Sequence, residues 1–350
     1  MRVVLLDPAA FTPQYDHELA AALSSAGADV RLLTSRFRFG EAPEPAGYRR
    51  QELFYPVSSR LFRRSRARLP VKALEHLLGV ARLRQLEADV FHLQWLAAPE
   101  IDDRLLRFRA PSVFTAHDLL PRRTAAKRAL WLRLLSRFDR VVVHSERGRK
   151  TLTELGLERE RLRVIPHPTF RSNPLRADDG RTLLCLGVLR PYKGLGDAIE
   201  VVRLVPGSRL LVVGDPAEPV DRWRRAAGPL AEWRLGYLPE SEIDRALGET
   251  TLALFPYLPE IDQSGALLRA LGAGVPAVVY DVGGLPDPVG AYGAGAVVPA
   301  GNVGAFAEAV SHLLGSSEAL SEARLGAQRA REALTWDAAA KAHLELYKSL

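Results

Sequence analysis

Short apolar runs alternate with amphipathic helical segments along this chain, and this alternation constrains its fold more than any other feature. Runs such as residues 2–6 and 90–93 are brief and uninterrupted, whereas segment 14–26 spaces its apolar residues as a helix does. Such alternation is typical of a parallel sheet covered by helices on both faces. The pattern ends near Ile165 and restarts at Thr182. The sequence therefore predicts two successive doubly wound α/β domains.

The domain boundary is predicted from composition. Residues 169–181 are polar, contain Pro and Gly, and lack periodicity, so we interpret them as a linker between domains 1–168 and 182–335. A length of 350 residues suits two domains of ordinary size. The single cysteine, Cys185, excludes a disulfide scaffold and a Cys-rich metal site, and it favours a reducing compartment.

No membrane-spanning or secretory segment is predicted. No stretch approaches 18 consecutive apolar residues, and the first apolar run stops at Asp7, which is too short for a signal-peptide core. We therefore expect a cytoplasmic protein, either free or peripheral on the inner face of the membrane.

Charge is distributed unevenly. Residues 1–176 contain 32 Lys and Arg against 19 Asp and Glu, a net of +13, whereas residues 177–350 contain 16 against 22, a net of −6. Such asymmetry suggests that the first half faces an anionic surface or substrate. Of the 48 basic residues 42 are Arg; a GC-rich genome would explain this bias, but not why one half holds the excess.

A basic loop follows the first strand of the second half. Residues 187–194 place Arg190 and Lys193 three positions apart, just before a helix that begins near Leu195. A forked guanidinium, a point-charge ammonium and a helix N-terminus all favour clustered anionic oxygens, so this loop suits a diphosphate. The alternative is a solvated basic turn.

A second candidate lies in residues 256–276, where a polar loop leads into a helix with Ser264 as the expected N-cap. Free amides at that helix start would hold phosphate or sugar hydroxyls, since Gly265 permits close approach. The alternative is an ordinary capped core helix. A Gly-rich turn at 281–287 follows the next strand, and its glycines are equally consistent with a plain turn.

These stretches occur in an order that resembles a known family. GVLRPYKGL, RLGYLPESEI, SGALLRALGAGVP and YDVGGLPD follow one another in the second half, after VFHLQW, VFTAHDLLP and VVVHSERGRKTLTELG with RVIPHP in the first. This series resembles the retaining glycosyltransferases of the GT-B fold, in their large fourth family, over nearly the whole chain. The resemblance implies two Rossmann-like domains facing a central cleft, with a nucleotide-sugar bound by the C-terminal domain and the acceptor mainly by the N-terminal one. Residues 336–350 look like the helix that crosses back to the first domain in this fold.

The resemblance also implies roles for particular residues. Arg190 and Lys193 would hold the donor diphosphate and offset the charge that grows on the leaving group. His117 would contact the donor sugar near the reacting carbon, although a hydrogen-bonded turn histidine is the alternative. The loop at Gly236, Tyr237 and Leu238 matches the place where the family reads the nucleobase. The remaining implied donor-binding positions are Gly187, Gln263, Ser264, Gly265 and Arg269.

The family's usual pair of glutamates, eight positions apart, is missing. The two positions are occupied by Ile261 and Arg269. Glu260 and Asp262 flank the first, so a one-residue adjustment would place a carboxylate near the donor sugar, and both are candidate catalytic residues. Nothing replaces the second, which normally binds the ribose hydroxyls. Arg269 would either pair with a phosphate or face solvent.

Two basic segments predict how the N-terminal half meets its acceptor. Residues 60–72 and 122–138 interleave arginines and lysines with apolar and aromatic residues. Such interleaving suits an anionic bilayer surface, and enzymes of this kind often dock on lipid-linked acceptors. Two amphipathic helices with solvated arginine faces are the alternative.

The resemblance therefore implies a retaining, metal-independent hexosyltransferase that uses a UDP- or GDP-linked sugar and needs no cofactor. Its acceptor would be a glycan or a lipid-linked molecule, and its oligomeric state is not predicted. Two alternatives share the fold, a nucleotide-sugar epimerase and a catalytically impaired scaffold. A nucleic-acid binder is disfavoured because the basic half lacks a zinc-finger or RNA-recognition motif.

Overall fold

The computed structural model describes residues 1–60, 68–120, 125–258 and 263–350. The chain divides into two compact units, which we call unit 1 (Met1–Pro166 with Trp336–Leu350) and unit 2 (His167–Thr335). Each unit is a parallel α/β structure, which confirms the predicted fold class. Residues 169–181, predicted as a linker, pack within unit 2, where the Ala177 amide donates to the Gly248 carbonyl at 2.9 Å.

Unit 1 is built on one parallel sheet. Its strands are β1 (Arg2–Asp7), β2 (Asp29–Ser35), β3 (Arg49–Phe54), β4 (Val90–Leu93), β5 (Ser112–Thr115), β6 (Arg140–Val143) and β7 (Leu162–Val164). Its helices are α1 (Pro13–Ser25), α2 (Arg68–Leu83), α3 (Pro99–Leu105), α4 (Arg128–Leu135) and α5 (Glu146–Leu155). Within the described residues the strand order is β3-β2-β1-β4-β5-β6-β7.

Unit 2 repeats this plan. Its strands are β8 (Thr182–Leu186), β9 (Arg209–Gly214), β10 (Ala231–Leu235), β11 (Leu252–Phe255), β12 (Ala277–Tyr280) and β13 (Gly295–Val298). Its helices are α6 (Leu195–Leu204), α7 (Asp221–Ala227), α8 (Glu240–Glu249), α9 (Gly265–Gly272), α10 (Pro286–Tyr292), α11 (Val303–Gly315) and α12 (Ser317–Ala333). The order among the described strands is β10-β9-β8-β11-β12-β13. The last helix, α13 (Trp336–Lys348), belongs to unit 1 and packs on α1.

The central strands are buried along their whole length because helices cover both faces of each sheet. All residues of β5, β8, β11 and β12 are buried, which is why these strands appear in the sequence as short runs without polar alternation. Local signals set the helix ends. Ser145 caps α5 by accepting from the Gly148 amide at 2.8 Å, and Gly156 ends it with a φ of +113°.

Each sheet has one point at which the strand order reverses. In unit 1 it lies between β1 and β4, and in unit 2 it lies between β8 and β11. Loops that leave neighbouring strands at such a point run in opposite directions and open a crevice beyond the carboxyl ends of the strands, where ligands bind in open α/β sheets. The loops at these two switch points therefore form the candidate site.

Candidate functional site

Three glycines lie close together at the carboxyl edge of the unit 2 sheet. Gly187 follows β8, Gly214 ends β9 and Gly236 follows β10. The Gly236 amide donates to the Gly214 carbonyl at 3.1 Å, and the Gly187 amide donates to Val213 at 2.9 Å. Gly214 has a φ of +140°, and a Cβ there would lie 2.2 Å from the Gly187 carbonyl oxygen. Glycine is thus required for the ends of β8 and β9 to approach each other.

Lys193 lies directly over Gly187. Its ammonium donates to the Leu186 carbonyl oxygen at 2.9 Å and to the Tyr257 hydroxyl at 2.6 Å. A Cβ on Gly187, whose φ is +100°, would come within 2.9 Å of Lys193 Nζ. The predicted cation is therefore held in a fixed direction at the backbone that ends β8, which is a suitable place to meet an anionic ligand.

Arg190 begins the turn that carries Lys193. The turn is a single 3₁₀ turn over Pro191–Lys193, and the Lys193 amide donates to the Arg190 carbonyl at 3.0 Å. The Arg190 side chain is exposed, and among the described residues it has no ion-pair partner. The turn thus presents one anchored cation and one exposed cation, and both side-chain types bind phosphate oxygens in proteins.

The loops after β8 and β11 are joined across the switch point. The Leu258 amide donates to the Tyr192 carbonyl at 2.7 Å. Gly194 has a φ of +64°, and a Cβ there would lie 1.8 Å from the carbonyl oxygen of Pro256. A cavity of about 170 Å³ beside the turn is lined partly by Trp223. Since ligand pockets usually measure about 300–1,000 Å³, this cavity alone does not hold a nucleotide.

Ser264 caps α9 as predicted from the sequence. Its Oγ accepts from the Leu267 amide at 3.3 Å and lies 3.3 Å from the Tyr257 hydroxyl. Ser264 and Lys193 therefore both contact Tyr257, so the basic turn and the start of α9 belong to one cluster.

Gln263 joins the Gly-rich turn to the same cluster. Its Oε1 accepts from the Ser264 amide at 3.3 Å, and its Nε2 donates to the Gly284 carbonyl at 3.1 Å. The residues described around Gly265 would also accept a larger side chain, because a Cβ at this position would make only ordinary contact, at 3.6 Å, with the Phe170 ring.

Arg269 is oriented by two neighbours in unit 2. Its guanidinium forms an ion pair with Glu240 and lies 5.3 Å from the centre of the Phe170 ring. The Arg269 side chain is only 17% exposed. The expectation that Arg269 faces solvent is therefore wrong, because Glu240 at the start of α8 neutralises it and Phe170 covers it. Any phosphate at this position would compete with the Glu240 carboxylate.

The predicted nucleobase loop follows β10. Tyr237 is 46% exposed, whereas Leu238 packs partly against the unit 2 core. Burial of part of the ring raises the pKa of Tyr237, and the nearby Glu240 carboxylate raises it further. The loop therefore offers a neutral, half-open ring next to the pair of Arg269 with Glu240.

Two predicted catalytic residues, Glu260 and Asp262, lie outside the described residues. Within the ranges that the structure does describe, no cluster of three or more His, Cys, Asp or Glu side chains is arranged to hold a metal ion. No helix in the described ranges is long and apolar enough to cross a membrane.

His117 follows β5 at the carboxyl edge of unit 1. Its ring stacks on Trp95 with centroids 5.2 Å apart and meets the Tyr15 ring edge to face at 4.6 Å. Its Nε2 lies 3.0 Å from Gln94 Oε1, and its Nδ1 lies 3.4 Å from His144 Nε2. The ring is thus held in one orientation at the sheet edge, and its contact with a donor sugar stays a prediction.

Two buried carboxyl groups, which the sequence did not reveal, lie under the loop after β1. Asp7 and Asp16 are at most 1% exposed. Asp7 accepts from the amides of Ala9 at 3.2 Å and Thr12 at 3.1 Å. Burial raises the pKa of both carboxyls, and for Asp16 the neighbouring Asp7 charge raises it further. The two groups therefore favour sharing a proton, which ties α1 to the end of β1.

A cluster of buried histidines lies below His117. His92 lies 2.6 Å from the Tyr347 hydroxyl and 2.7 Å from Thr115 Oγ1. Burial lowers the pKa of His92, and it lowers those of His144 and His343 to about 4. Neutral imidazoles thus join α13 to β4.

The two basic segments differ in what their apolar residues do. In α4 the apolar residues Trp131, Leu134 and Leu135 are buried, and Arg133 pairs with Asp103 of α3 at 3.0 Å. The segment 60–72 includes the start of α2, where Leu69 is exposed, and three leucines of α2 beyond the segment, Leu74, Leu77 and Leu78, are exposed as well. Of these two helices, α2 alone has exposed leucines among its described residues, while the arginines at positions 63, 64, 66, 122 and 123 lie outside the described residues.

Sequence reasoning missed Tyr257 and Glu240. Tyr257 had a usable signal, since it is a polar aromatic residue two positions after a short apolar run, and ligands bind beyond the carboxyl ends of strands in open α/β sheets. Glu240 had none, because it is 29 positions from its partner Arg269 and looks like any acidic residue in the first turn of a helix.

Two family models match consecutive parts of the chain. The family described as Glycosyltransferase Family 4 matches residues 14–169, and the family described as Glycosyl transferases group 1 matches residues 180–316. A curated relative, D-inositol 3-phosphate glycosyltransferase of Nocardia farcinica, is 26% identical over 281 residues, which cover 69% of this chain. The match spans only 62% of that relative's own length.

Solved structures share the fold. Sucrose-phosphate synthase from Thermosynechococcus elongatus superposes with a TM-score of 0.79 at 18% identity, covering 100% of this chain and 98% of that one. Anabaena HepE in complex with UDP-glucose gives a TM-score of 0.75 at 16% identity, with both chains covered completely. At these identities the structural likeness establishes only the fold. The two family matches identify both halves of the chain as glycosyltransferase domains. The chain belongs to the GT-B glycosyltransferases, with a glycosyltransferase family 4 domain followed by a group 1 domain.

Proposed function

We propose that this protein is a retaining hexosyltransferase that takes its sugar from a UDP- or GDP-linked donor and passes it to a glycan or lipid-linked acceptor at a membrane surface. The observation that carries the proposal is the cluster at the unit 2 switch point. There Lys193 is fixed over Gly187, and the start of α9 is joined to the same cluster through Tyr257. A cation and a capped helix start at one strand edge suit a diphosphate.

The reaction follows from charge development. The bond between the sugar's anomeric carbon and the diphosphate oxygen breaks as the acceptor oxygen bonds to that carbon on the same face. The acceptor proton passes to the departing phosphate oxygen. Lys193 and Arg190 offset the negative charge on that group, and preorganised groups of this kind give a large share of the rate enhancement in many enzymes. No metal or cofactor is needed in this scheme.

The acceptor side of the proposal rests on unit 1. Phe11, in the loop after β1, is 58% exposed and its ring meets Trp95 with centroids 5.3 Å apart. Trp95 is held by a 2.8 Å hydrogen bond from its Nε1 to Thr12 Oγ1, and it stacks on His117. An exposed aromatic surface beside His117 suits the apolar face of a sugar ring, which supports a glycan acceptor.

The membrane part of the proposal rests on α2. Its exposed leucines, Leu74, Leu77 and Leu78, lie at helical spacing on one face, and the arginine-rich segment 60–72 leads into the first turns of the helix. We expect the protein to sediment with vesicles that contain phosphatidylglycerol and much less with neutral phosphatidylcholine vesicles. The paired change Leu74→Ser and Leu78→Ser should abolish the difference, whereas Leu325→Ser, an exposed leucine of α12, should not. Equal sedimentation of all three proteins would contradict the membrane role.

The central test is a donor screen. UDP-, GDP- and ADP-linked hexoses are incubated with the protein, and nucleotide release is measured with and without lipid-linked and free glycan acceptors. We expect release that depends on the acceptor, a product that keeps the anomeric configuration, and no loss of rate in EDTA. UDP-glucose is the first donor to try, because a protein of the same fold is found in complex with it.

The same screen separates the alternatives. An epimerase would convert the sugar without an acceptor. A scaffold with an impaired site would release no nucleotide from any donor, and an absence of all nucleotide binding by calorimetry would contradict the transferase proposal.

A further inference from the structure

Tyr257 is a buried residue at the centre of the unit 2 switch point, two positions after β11. It is only 2% exposed, and its ring packs edge to face against Tyr192 at 5.4 Å and Phe255 at 5.5 Å. Despite this burial its hydroxyl contacts two groups that belong to the proposed donor site, Lys193 and Ser264. A phenylalanine would fill the same space, so the hydroxyl calls for an explanation.

The first contact fixes a cation. A lysine side chain has many rotamers, and ordering it on ligand binding costs entropy. Here the Lys193 ammonium already has two acceptors in different directions, the Leu186 carbonyl at 2.9 Å and the Tyr257 hydroxyl at 2.6 Å. The ring adds attraction, since Nζ lies 4.8 Å from its centroid. The Leu186 carbonyl, the Tyr257 hydroxyl and the Tyr257 ring therefore hold the ammonium beside Gly187, where the absence of a Cβ leaves space for it.

The second contact sets the direction of a hydrogen-bond chain. An ammonium only donates, so the Tyr257 oxygen accepts from Lys193. Burial raises the pKa of Tyr257, so the phenol keeps its proton and has that proton to donate. The nearest acceptor is Ser264 Oγ at 3.3 Å, which also accepts from the Leu267 amide. With both contacts made as an acceptor, Ser264 keeps its own hydroxyl proton to donate.

We propose that Tyr257 is a positioning residue of the donor site, which fixes Lys193 over Gly187 and turns the hydroxyl of Ser264 toward the diphosphate. The inference rests on the proposed function, since it assumes a nucleoside diphosphate as ligand. Tyr257 itself touches no ligand in this arrangement. It acts by making the ammonium and the serine hydroxyl ready before the ligand arrives.

The test compares nucleotide affinities by calorimetry. UDP is measured against UMP, and GDP against GMP, with the unaltered chain, Tyr257→Phe, Lys193→Gln and the double variant. Tyr280→Phe is the matched control, because Tyr280 is equally buried in unit 2 and its hydroxyl donates to Asp197 at 2.8 Å. Melting temperatures of all variants are recorded.

Tyr257→Phe should weaken the diphosphate about tenfold and the monophosphate less than about threefold, because it loosens the cation that meets the added phosphate. The double variant should bind the diphosphate no more than about twofold more weakly than Lys193→Gln alone, since most of the effect of the hydroxyl passes through the lysine and only the Ser264 contact remains to be lost. Tyr280→Phe should lower the melting temperature by a similar amount and leave both affinities within about twofold.

Three results would overturn the role of Tyr257: an unchanged diphosphate affinity in Tyr257→Phe, equal losses for mono- and diphosphate, or losses that multiply in the double variant. Failure of the proposed function gives a different result, because the unaltered chain would then bind none of the nucleotides.

Discussion

The two switch points share a topology and differ in chemistry. In unit 2 the loops after β8 and β11 hold a fixed cation, Lys193, with neutral partners at the sheet edge. In unit 1 the loop after β1 covers two buried carboxyls, Asp7 and Asp16, and His117 stands above further histidines. The unit 2 switch point thus has a charged side chain at the sheet edge, whereas the titratable groups at the unit 1 switch point are buried.

This difference runs against the distribution of net charge. The half with a net charge of −6 contains the placed cations, and the half with +13 has buried carboxyls and the neutral imidazole of His92 at its switch point. The basic excess of the first half lies elsewhere, for example on α4, where Arg133 pairs with Asp103. Net charge therefore predicts the long-range field of a domain, while a binding site is determined by a few side chains with fixed directions.

The largest expected effect comes from removing the fixed cation. Lys193→Ala should lower turnover about 10²–10³-fold, because one preorganised group that stabilises developing charge is worth about 3–4 kcal/mol. The control is Lys127→Ala in unit 1, since Lys127 forms an ion pair with Glu100 while about half of each side chain is exposed. Initial rates of nucleotide release measure both variants. If Lys193→Ala retained more than a tenth of the activity, Lys193 would not have the catalytic role that distinguishes the unit 2 switch point from that of unit 1.

The second largest effect should be a difference between the two units in how far acid destabilises them. His92, His144 and His343 are buried and neutral with lowered pKa values, whereas the unfolded chain takes up protons below a pKa of about 6.5. At these three histidines the unfolded state then binds more protons, so they destabilise unit 1 as the pH falls from about 6.5 toward 4, by up to about 1.4 kcal/mol per pH unit for each histidine. The raised pKa of Asp16 has the opposite effect over this range, but it is one group against three.

Hydrogen exchange measured at pH 7, 6 and 5 tests this difference. Peptides from β4, β6 and α13 should lose protection before peptides from β8 and β11. Loss of protection at the same pH in both units would contradict the predicted difference in acid stability.

The sequence predicted one switch point better than the other for physical reasons. Lys193 and Ser264 were found because a basic turn and an N-cap depend on neighbouring positions along the chain. Asp7 and Asp16 were missed because a carboxyl at the end of a strand normally indicates a turn, and burial of the pair appears only when α1 packs on β1. Glu260 and Asp262 stay predictions.

The same reasoning applies to the strands. The fully buried central strands were predicted from their apolar runs. Strands β3 and β10 were missed, and both lie at the edge of a sheet. Their sequences, RRQELF and AEWRL, carry charges that an edge position tolerates, so no apolar run marks them.

A smaller effect is expected from the buried carboxyl pair. The raised pKa of Asp16 means that the folded state keeps a proton which the unfolded state releases above pH 4. Stability is therefore lost as the pH rises, and Asp16→Asn should remove this loss and stabilise unit 1 by about 1 kcal/mol at pH 8 relative to pH 5. Urea unfolding at both pH values measures it. Asp29→Asn, which changes an exposed partner of Arg49, should show no such pH dependence.

The smallest effect should come from Arg269→Ala. This variant tests whether Arg269 binds the ligand together with Lys193 and Arg190. The Glu240 carboxylate already neutralises this guanidinium and is about half exposed, so the lost pair should cost at most about 1 kcal/mol of stability. Nucleoside diphosphate affinity should fall less than about threefold, as it should for Arg234→Ala, which breaks a comparable pair with Glu249. Calorimetry and thermal melts of both variants decide the question. A loss of tenfold or more in Arg269→Ala alone would mean that a phosphate displaces Glu240, and the site would then use a third cation that its resting ion pair conceals.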